Sequence, residues 1–296
     1  MKITITGSLG NISRPLTTQL VALGHQINVI TSSAARAAEI SSLGAVPLVG
    51  SLEEEAFVTR AFHGSDAVYL MIPPHFQAPD YNRFTQTVQQ NYFRAVTNAG
   101  IPYVVNLSSS GSALAGQSPL KHYQNLEAPL DVLADAHVLH LRPGGFYSNF
   151  YGSISMIRHM GMIGNNFPGH IPLVMSDPRD IADAAAQALH TRSFHGKSQQ
   201  YIVSDKKTGD EIARLLGTVI GKPELPWVEF PDEQLLQALL QNGFSKDAAQ
   251  HYIVDMGIAI RQGLLEKHYE GHVHNTFGQR RFEAFADEFA KAYAQG

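Results

Sequence analysis

The chain has 296 residues, 44% of them hydrophobic, a formal net charge of -4 and no cysteine. Such a chain can bury a substantial core, and it lacks the Lys/Arg clusters typical of proteins that bind nucleic acid or anionic membranes. The absence of cysteine excludes disulfides, zinc-thiolate sites and thiol nucleophiles. A first strand is expected from Lys2, and no apolar run approaches the ~20 residues of a membrane span, so we expect a soluble, cytoplasmic protein with small-molecule partners.

Short β-branched segments alternate with helical ones over the first two thirds of the chain, which is typical of a doubly wound parallel sheet. Strands are predicted at 3–5, 27–30, 46–49, 67–72, 104–107, 138–141 and 201–203. Helices are predicted from about Tyr81 to Ala99, from near Asp180, and at 208–220, 232–242, 246–264 and 279–294. The chain is therefore predicted to be an α/β protein with a Rossmann sheet and a smaller, mainly helical C-terminal lobe.

Two domains follow from the change of pattern after residue 145. Residues 1–145 plus 172–204 are predicted to form a dinucleotide-binding domain. Residues 146–171, which are rich in aromatic residues, Met and Gly, are predicted to join 205–296 in a lobe that covers a substrate.

The first predicted strand leads into the segment GSLGNIS, residues 7–13, which nearly matches a dinucleotide-binding fingerprint. Gly7 permits the tight turn, Gly10 lets the backbone approach a pyrophosphate, and the amides that open the next helix face the phosphates. Ser13 replaces a glycine whose main role is close packing of helix on strand. The segment therefore still predicts a nucleotide site, with an ordinary turn as the alternative.

The end of the second predicted strand favours NADP(H) over NAD(H). NAD-binding proteins hold the ribose hydroxyls with an acidic residue about 20 positions further on. Here the strand ends in Thr31 and Ser32, Arg36 follows, and the first acid is Glu39. Hydroxyls and an arginine can bind a 2′-phosphate. A solvated helix residue is an equally good interpretation of Arg36.

Six segments, in this order, resemble the NmrA-like branch of the atypical short-chain dehydrogenases: ITGSLGNISRPL, VYLMIPP, VVNLSSSGS, LHLRPGGFYSNF, DPRDIADAAAQAL and FEAFADEFAKAY. The resemblance implies an NAD(P)-binding fold with the 2′-phosphate at Ser32. It places the pyrophosphate on Gly7, Leu9, Gly10, Asn11 and Ile12. It places the middle of the cofactor along Met71, Ile72 and Pro73. It places the nicotinamide end among Leu107, Ser108, Pro143, Gly144, Gly145 and Phe146.

The Tyr-x-x-x-Lys pair of ordinary short-chain dehydrogenases is missing. None of the eleven tyrosines has a lysine four residues later, and Tyr123, nearest the expected position, is followed by Glu127. A carboxylate raises the pKa of a neighbouring phenol, so alcohol dehydrogenation is not expected and the catalytic residues stay unknown. A quinone accepts hydride without a tyrosine acid, since its product is a stabilised phenolate. Tyr123, Tyr147 and Phe150 are the predicted contacts of such a flat acceptor, with simple packing between the lobes as the alternative for any single ring of the segment after residue 145.

Two functions remain open at this point. One is an NAD(P)H-dependent reductase of quinone-like or other small electrophiles, similar to the quinone-reducing members of the family. The other is a catalytically silent NADP(H) sensor, similar to the regulatory members, whose cofactor occupancy alters contact with a protein partner. The aromatic second lobe favours the reductase, because it is most easily explained as a lid over a substrate.

The sequence contains one cluster of histidines near its C-terminal end. His268, His272 and His274 lie close together in the sequence, in the segment KHYEGHVHNT. We interpret the segment as an exposed loop rather than as a metal site.

Overall fold

The computed structural model of the chain describes residues 1–272 and 276–295. The strands are β1 Lys2–Ile5, β2 Gln26–Thr31, β3 Val46–Val49, β4 Ala67–Leu70, β5 Tyr103–Leu107, β6 His137–Pro143, β7 Gly145–Phe146, β8 Ile163–Asn165, β9 Pro172–Ser176, β10 Lys197–Ile202, β11 Asp205–Thr208, β12 Trp227–Glu229 and β13 Thr276–Phe277. The helices are α1 Ser13–Ala22, α2 Ala37–Ser42, α3 Glu55–Phe62, α4 Tyr81–Ala99, α5 Glu127–Asp131, α6 Ile154–Met160, α7 Pro178–Thr191, α8 Gly209–Val219, α9 Asp232–Gln241, α10 Lys246–Ala248, α11 Asp255–Arg261, α12 Leu264–Glu270 and α13 Phe282–Gln295. A π-helical turn, Ala249–Val254, joins α10 to α11.

The main sheet is parallel throughout and confirms the predicted Rossmann architecture. Its order is β13-β10-β6-β5-β4-β1-β2-β3, so β1 pairs with β2 on one side and with β4 on the other. Helices α1 and α7 cover one face, and α3 and α4 cover the other. Because helices cover both faces, the sheet buries apolar side chains on both. Ile3 and Ile5 of β1 lie on one face, and Val68 and Leu70 of β4 lie on the other. The reversal of strand order beside β1 is the usual ligand-binding position in such sheets.

Local signals explain why the predicted bounds of α4 agree with the structure. The Asp80 carboxylate accepts a hydrogen bond from the backbone N–H of Arg83 at 2.8 Å, which caps the first turn. At the other end, Gly100 adopts the left-handed conformation that terminates helices. Tyr81, at the start of this helix, is thereby positioned to line the cavity described below.

The second lobe is mainly helical, as predicted, and has two small sheets. Strand β9 lies between β7 and β11, and β8 pairs with β12. Its core is aromatic, with Phe282, Phe285 and Phe289 of α13 packed against the segment 147–153. Strand β9, at 172–176, pairs with β11 and β7, while β13 pairs with β10 in the main sheet. The division into 1–145 plus 172–204 and 146–171 plus 205–296 stays a proposal.

Several predicted elements differ from the structure in extent, such as the strand predicted at 201–203, which spans Lys197–Ile202. The helix predicted over 246–264 is divided, because Gly263 adopts a left-handed conformation with φ of 67° and α12 begins after it. The strand predicted to continue to Ile72 ends at Leu70. The next amide, that of Met71, donates to the Thr6 hydroxyl at 2.8 Å, which directs the chain into a loop.

None of the helices in the two described stretches is long and apolar enough to cross a membrane.

Candidate functional site

The glycine loop lies at the carboxyl end of β1, directly beside the loop that follows β4. Gly7 has a φ of 90°, and a Cβ there would lie 2.5 Å from the Met71 sulfur. Only glycine fits this position without displacing Met71. Ser13 is buried and its hydroxyl donates to the Thr6 carbonyl at 3.0 Å. The serine that replaces the third glycine is thus accommodated by a hydrogen bond inside the turn.

The outer side of this loop fits an anionic ligand. Leu9 and Ile12 direct their side chains into the core, whereas Gly10 and Asn11 are exposed. A Cβ on Gly10 would contact only the Gly7 carbonyl, at 3.5 Å, so the space above it is open. No side chain caps the start of α1 at Ile12. Uncapped amides with the positive end of a helix dipole behind them suit the pyrophosphate of a dinucleotide.

The carboxyl end of β2 lies next to this loop and carries the residues predicted to select NADP(H). The Ser8 hydroxyl donates to the Thr31 hydroxyl at 3.0 Å, and Arg36 Nη1 donates to the Ser8 hydroxyl at 3.3 Å. Glu39, the first acid after β2, is paired with Arg14. The guanidinium of Arg36 and the hydroxyl of Ser32 are exposed and suit a phosphate, whereas Thr31 is only 2% exposed and lies beneath them.

A cavity of about 560 Å³ lies between the two lobes. Its first-lobe wall includes Met71 and Ile72, which follow β4, and all six residues predicted to surround the nicotinamide: Leu107, Ser108, Pro143, Gly144, Gly145 and Phe146. Pro73 is not among the lining residues, but the adjacent Pro74 is. The carboxyl ends of β4, β5 and β6 thus open into the cavity.

The second lobe closes the cavity with large apolar side chains. They come from segments far apart in the sequence: Phe150, Ile163, Phe167, Trp227, Met256, Ile260 and Leu265. Gly144 lets the end of β6 lie close to β9, because a Cβ there would lie 2.2 Å from the Val174 carbonyl oxygen. The result is a cavity lined mainly by apolar side chains.

Of the three predicted substrate contacts, Tyr123 and Phe150 line the cavity and Tyr147 does not. Tyr147 is 0% exposed, its hydroxyl donates to the Arg280 carbonyl at 2.9 Å, and its ring packs edge-on against Phe282. Its place is in the aromatic core of the second lobe. We therefore leave Tyr147 out of the proposed substrate site.

The phenol groups of Tyr81, Tyr123 and Tyr252 face the cavity. Only Tyr123 was predicted from the sequence. The Tyr252 ring lies 4.8 Å from that of Tyr81 and 5.1 Å from that of Tyr123. Burial raises the pKa of all three, that of Tyr252 to about 12. A hydrogen bond with Ser109 lowers the pKa of Tyr123, while the Glu127 carboxylate raises it, in the direction expected from the sequence. These phenols keep their protons near neutral pH, so they can donate hydrogen bonds but are not activated acids.

A buried ion pair supports the cavity wall at the end of β5. The Glu127 carboxylate accepts from Arg142 Nε at 2.8 Å and from Nη2 at 2.6 Å, and from the Ser108 hydroxyl at 2.5 Å. Burial alone would raise the pKa of Glu127, but the hydrogen bonds from Arg142 and Ser108 and the charge of Arg142 lower it overall. The pair therefore holds the Ser108 hydroxyl in one orientation. No pattern in the sequence predicts that Glu127 and Arg142 form an ion pair.

The described residues 267–272 of the histidine segment begin in a helix and not in a loop. His268 belongs to α12, and its ring lies 4.8 Å from that of His272. Both rings contact Tyr201, at 6.0 Å and 5.2 Å, because α12 packs onto this edge of the sheet. His274 lies outside the described residues. Among the residues that the structure describes, no group of three His, Cys, Asp or Glu side chains is arranged to hold a metal ion.

Comparison with known proteins agrees with this architecture. The profile of the NmrA-like family matches residues 1–265. A (4-alkanoyl-5-oxo-2,5-dihydrofuran-3-yl)methyl phosphate reductase from Streptomyces griseus subsp. griseus is 25% identical over 228 residues, covering 75% of this chain and 74% of that protein.

Two solved structures share the fold. An NADPH-dependent quinone oxidoreductase from Escherichia coli, complexed with NADPH, is 20% identical with a TM-score of 0.75 over 97% of this chain and 99% of its own. The triphenylmethane reductase of a Citrobacter species is 20% identical with a TM-score of 0.77 over 98% of this chain and 100% of its own. Since the family profile spans most of the chain and the fold is shared along its whole length, the protein belongs to the NmrA-like family.

Proposed function

We propose that the chain is an NADPH-dependent reductase of a flat, electrophilic acceptor of the quinone type. The inter-lobe cavity is the observation that supports this function most directly. It begins at the residues expected around the nicotinamide and is closed by aromatic side chains of the second lobe. A reductase needs such an enclosed acceptor site, whereas a sensor needs only a surface that responds to the cofactor.

The cofactor part of the proposal rests on the loop after β1 and on the end of β2. The amides at Gly10, Asn11 and Ile12 would hold the pyrophosphate, and Arg36 with Ser32 would hold the 2′-phosphate. Remaining cofactor contacts are assigned to Gly7, Leu9, Thr31, Met71, Ile72, Pro73, Leu107, Ser108, Pro143, Gly144, Gly145 and Phe146. Relatives give further support, since the Escherichia coli structure contains NADPH and the Streptomyces protein is a reductase.

NADPH, when bound, supplies a hydride to an electrophilic carbon or oxygen of the acceptor. The chain's own residues orient the acceptor and exclude water from it. Phe146 and Phe150 offer ring faces for a planar molecule, and the apolar wall keeps the chamber dry. The Tyr123 hydroxyl keeps its proton and can donate a hydrogen bond to an oxygen of the acceptor. No activated phenol is required, because a reduced quinone leaves as a stabilised phenolate.

Replacing Gly10 with valine tests the cofactor site without disturbing the fold. The Cβ has room, since its contact with the Gly7 carbonyl is an ordinary 3.5 Å. The branched side chain would instead occupy the space through which the pyrophosphate approaches. We expect Gly10→Val to abolish NADPH binding, measured by titration calorimetry, and with it NADPH oxidation by a panel of quinones.

Gly271→Val is the matched control for this variant. Gly271 is exposed, and a Cβ there would also lie 3.5 Å from one backbone carbonyl, that of His268. It should bind NADPH like the unmodified protein. Confirmed NADPH binding without oxidation by any acceptor would contradict the reductase and favour a sensor. Unchanged NADPH affinity in Gly10→Val would contradict the assigned cofactor site.

A further inference from the structure

The charge of the cavity wall is very uneven. Among the described residues that line it, Glu266 is the only one with a charged side chain, and Lys, Arg and His are absent. The other lining side chains are apolar, aromatic, hydroxyl or amide groups. An anion in the cavity would therefore lie near a carboxylate, and the described lining residues include no cation that could pair with it.

Glu266 is held in place by the element that carries it. It lies in the first turn of α12, which packs against β9 and against the segment 110–114. Its side chain is 21% exposed and is paired with Lys206, which does not line the cavity. Lys206 also lies 3.7 Å from Glu270, so two carboxylates share one ammonium group.

This arrangement has a consequence for substrate choice. An anion loses hydration when it enters an apolar cavity, and a cation in the wall would offset much of that loss. An uncharged aromatic molecule has no such cost and gains from burial against the aromatic wall. A cation would in addition be attracted by the Glu266 carboxylate.

We infer that the cavity selects uncharged and cationic aromatic acceptors against anionic ones, and that Glu266 is the specificity-determining residue. This inference rests on the proposed function, because it names the acceptor class of the same cavity. It also separates the chain from its Streptomyces relative, whose name specifies a phosphate ester as substrate. Within the described residues, no side chain of this cavity could neutralise a phosphate.

The protein contains a built-in reporter of cavity occupancy. Trp227 is its single tryptophan, and it lines the cavity. Its indole N–H donates to the Phe167 carbonyl at 3.0 Å, and the ring lies over Gly209, where a Cβ would approach it to 2.6 Å. The indole is thus held in one position. Quenching of its fluorescence by an aromatic ligand measures binding without any turnover.

The test compares anthraquinone with anthraquinone sulfonate, titrated into the full chain without cofactor, so that no hydride donor is present and no reduction occurs. We expect the uncharged ligand to bind at least about tenfold more tightly than the sulfonate, which corresponds to about 1.4 kcal/mol. Glu266→Gln should reduce this ratio severalfold by strengthening sulfonate binding. The same substitution should weaken binding of a quinone that carries a trimethylammonium group.

Glu270→Gln is the matched control. It removes the other carboxylate near Lys206, but Glu270 lies outside the cavity wall and is largely exposed, so the binding ratio should stay unchanged. Equal dissociation constants for the sulfonate and the uncharged quinone would overturn the selectivity. An unchanged ratio in Glu266→Gln would overturn the role of Glu266, and no quenching by any ligand would overturn the aromatic site. Because none of these measurements needs turnover, they stay readable even if no acceptor oxidises NADPH.

Discussion

Replacing Glu127 with glutamine should destabilise the protein strongly. The Glu127 and Arg142 side chains are each only 10% exposed, and two hydrogen bonds of 2.8 Å and 2.6 Å join them. In the variant, the Arg142 guanidinium stays charged and buried without a counter-ion. Removing one partner of such a pair typically costs ~3–5 kcal/mol. Glutamine keeps one acceptor oxygen, so we expect a loss of about 3 kcal/mol in the free energy of unfolding.

Removing both charges together should cost less than removing one. In a variant with both Glu127→Leu and Arg142→Met, no buried charge is left to be desolvated, and apolar side chains fill a similar volume. The Tyr201 hydroxyl loses its contact with Arg142 Nη1, at 3.4 Å, and Ser108 loses its acceptor. Each lost hydrogen bond costs about 1 kcal/mol, so we expect a total of about 2 kcal/mol.

The same pair contributes to the dependence of stability on pH. The pKa of Glu127 is lower in the folded protein than in the unfolded chain, so the folded state binds this proton less readily. The stabilisation is fully present above the unfolded pKa, about 4.3, and is lost as the pH falls through the folded value. Glu127→Gln lacks this carboxyl, so its stability should fall less steeply over the acidic range than that of the unmodified protein.

Urea unfolding followed by circular dichroism, at neutral pH and at several acidic values, measures both effects. A loss of less than ~1 kcal/mol in Glu127→Gln at neutral pH would contradict the cost of an unpaired buried charge, since that is the cost of a single ordinary hydrogen bond. A double variant less stable than Glu127→Gln would contradict it as well, because the cost would then not come from an unpaired buried charge.

Two further predictions concern turnover and cofactor choice. Tyr123→Phe should leave kcat for NADPH oxidation within about tenfold, a change in barrier below ~1.4 kcal/mol, because burial keeps this phenol protonated rather than activated. A fall of several orders of magnitude in steady-state assays would instead identify it as a general acid. Arg36→Ala should weaken NADPH binding by about tenfold and leave NADH binding unchanged, since only NADPH carries the 2′-phosphate. Calorimetric titrations that show equal affinities for the two cofactors in both proteins would remove the basis for this selectivity.

Much of the fold follows from local pattern. The β-branched segments at 3–5 and 27–30 lie in neighbouring parallel strands, paired from Ile3 with Ile27 to Ile5 with Val29. The long helix runs from Tyr81 to Ala99 as predicted, because Asp80 and Gly100 mark its ends chemically. Likewise Gly7 stands where the turn after β1 needs a positive φ. These features depend on residues that are neighbours in the chain.

The candidate site depends on contacts that local sequence patterns do not predict. Tyr147 and Phe150 are three residues apart in one aromatic segment, yet the first is in the core and the second lines the cavity. The packing of α13 against this segment makes the difference, and no periodicity within 147–153 reports it. Similarly, Tyr81 and Tyr252 meet across more than half of the chain. Sequence spacing carries no information about such contacts.

By itself, the sequence determined the Rossmann sheet, the turn at the glycine loop and the absence of a Tyr-Lys pair, because each depends on residue types at short, defined spacings. Only the tertiary structure decided which side chains enclose the cavity, and that Glu266 is the one charged residue among its described lining. The tertiary structure also pairs Glu127 with Arg142, and it places the His268 ring, which we expected in a loop, against the Tyr201 ring. The physical reason is that burial, pKa and pocket charge arise from contacts between distant segments, which form only when the lobes pack.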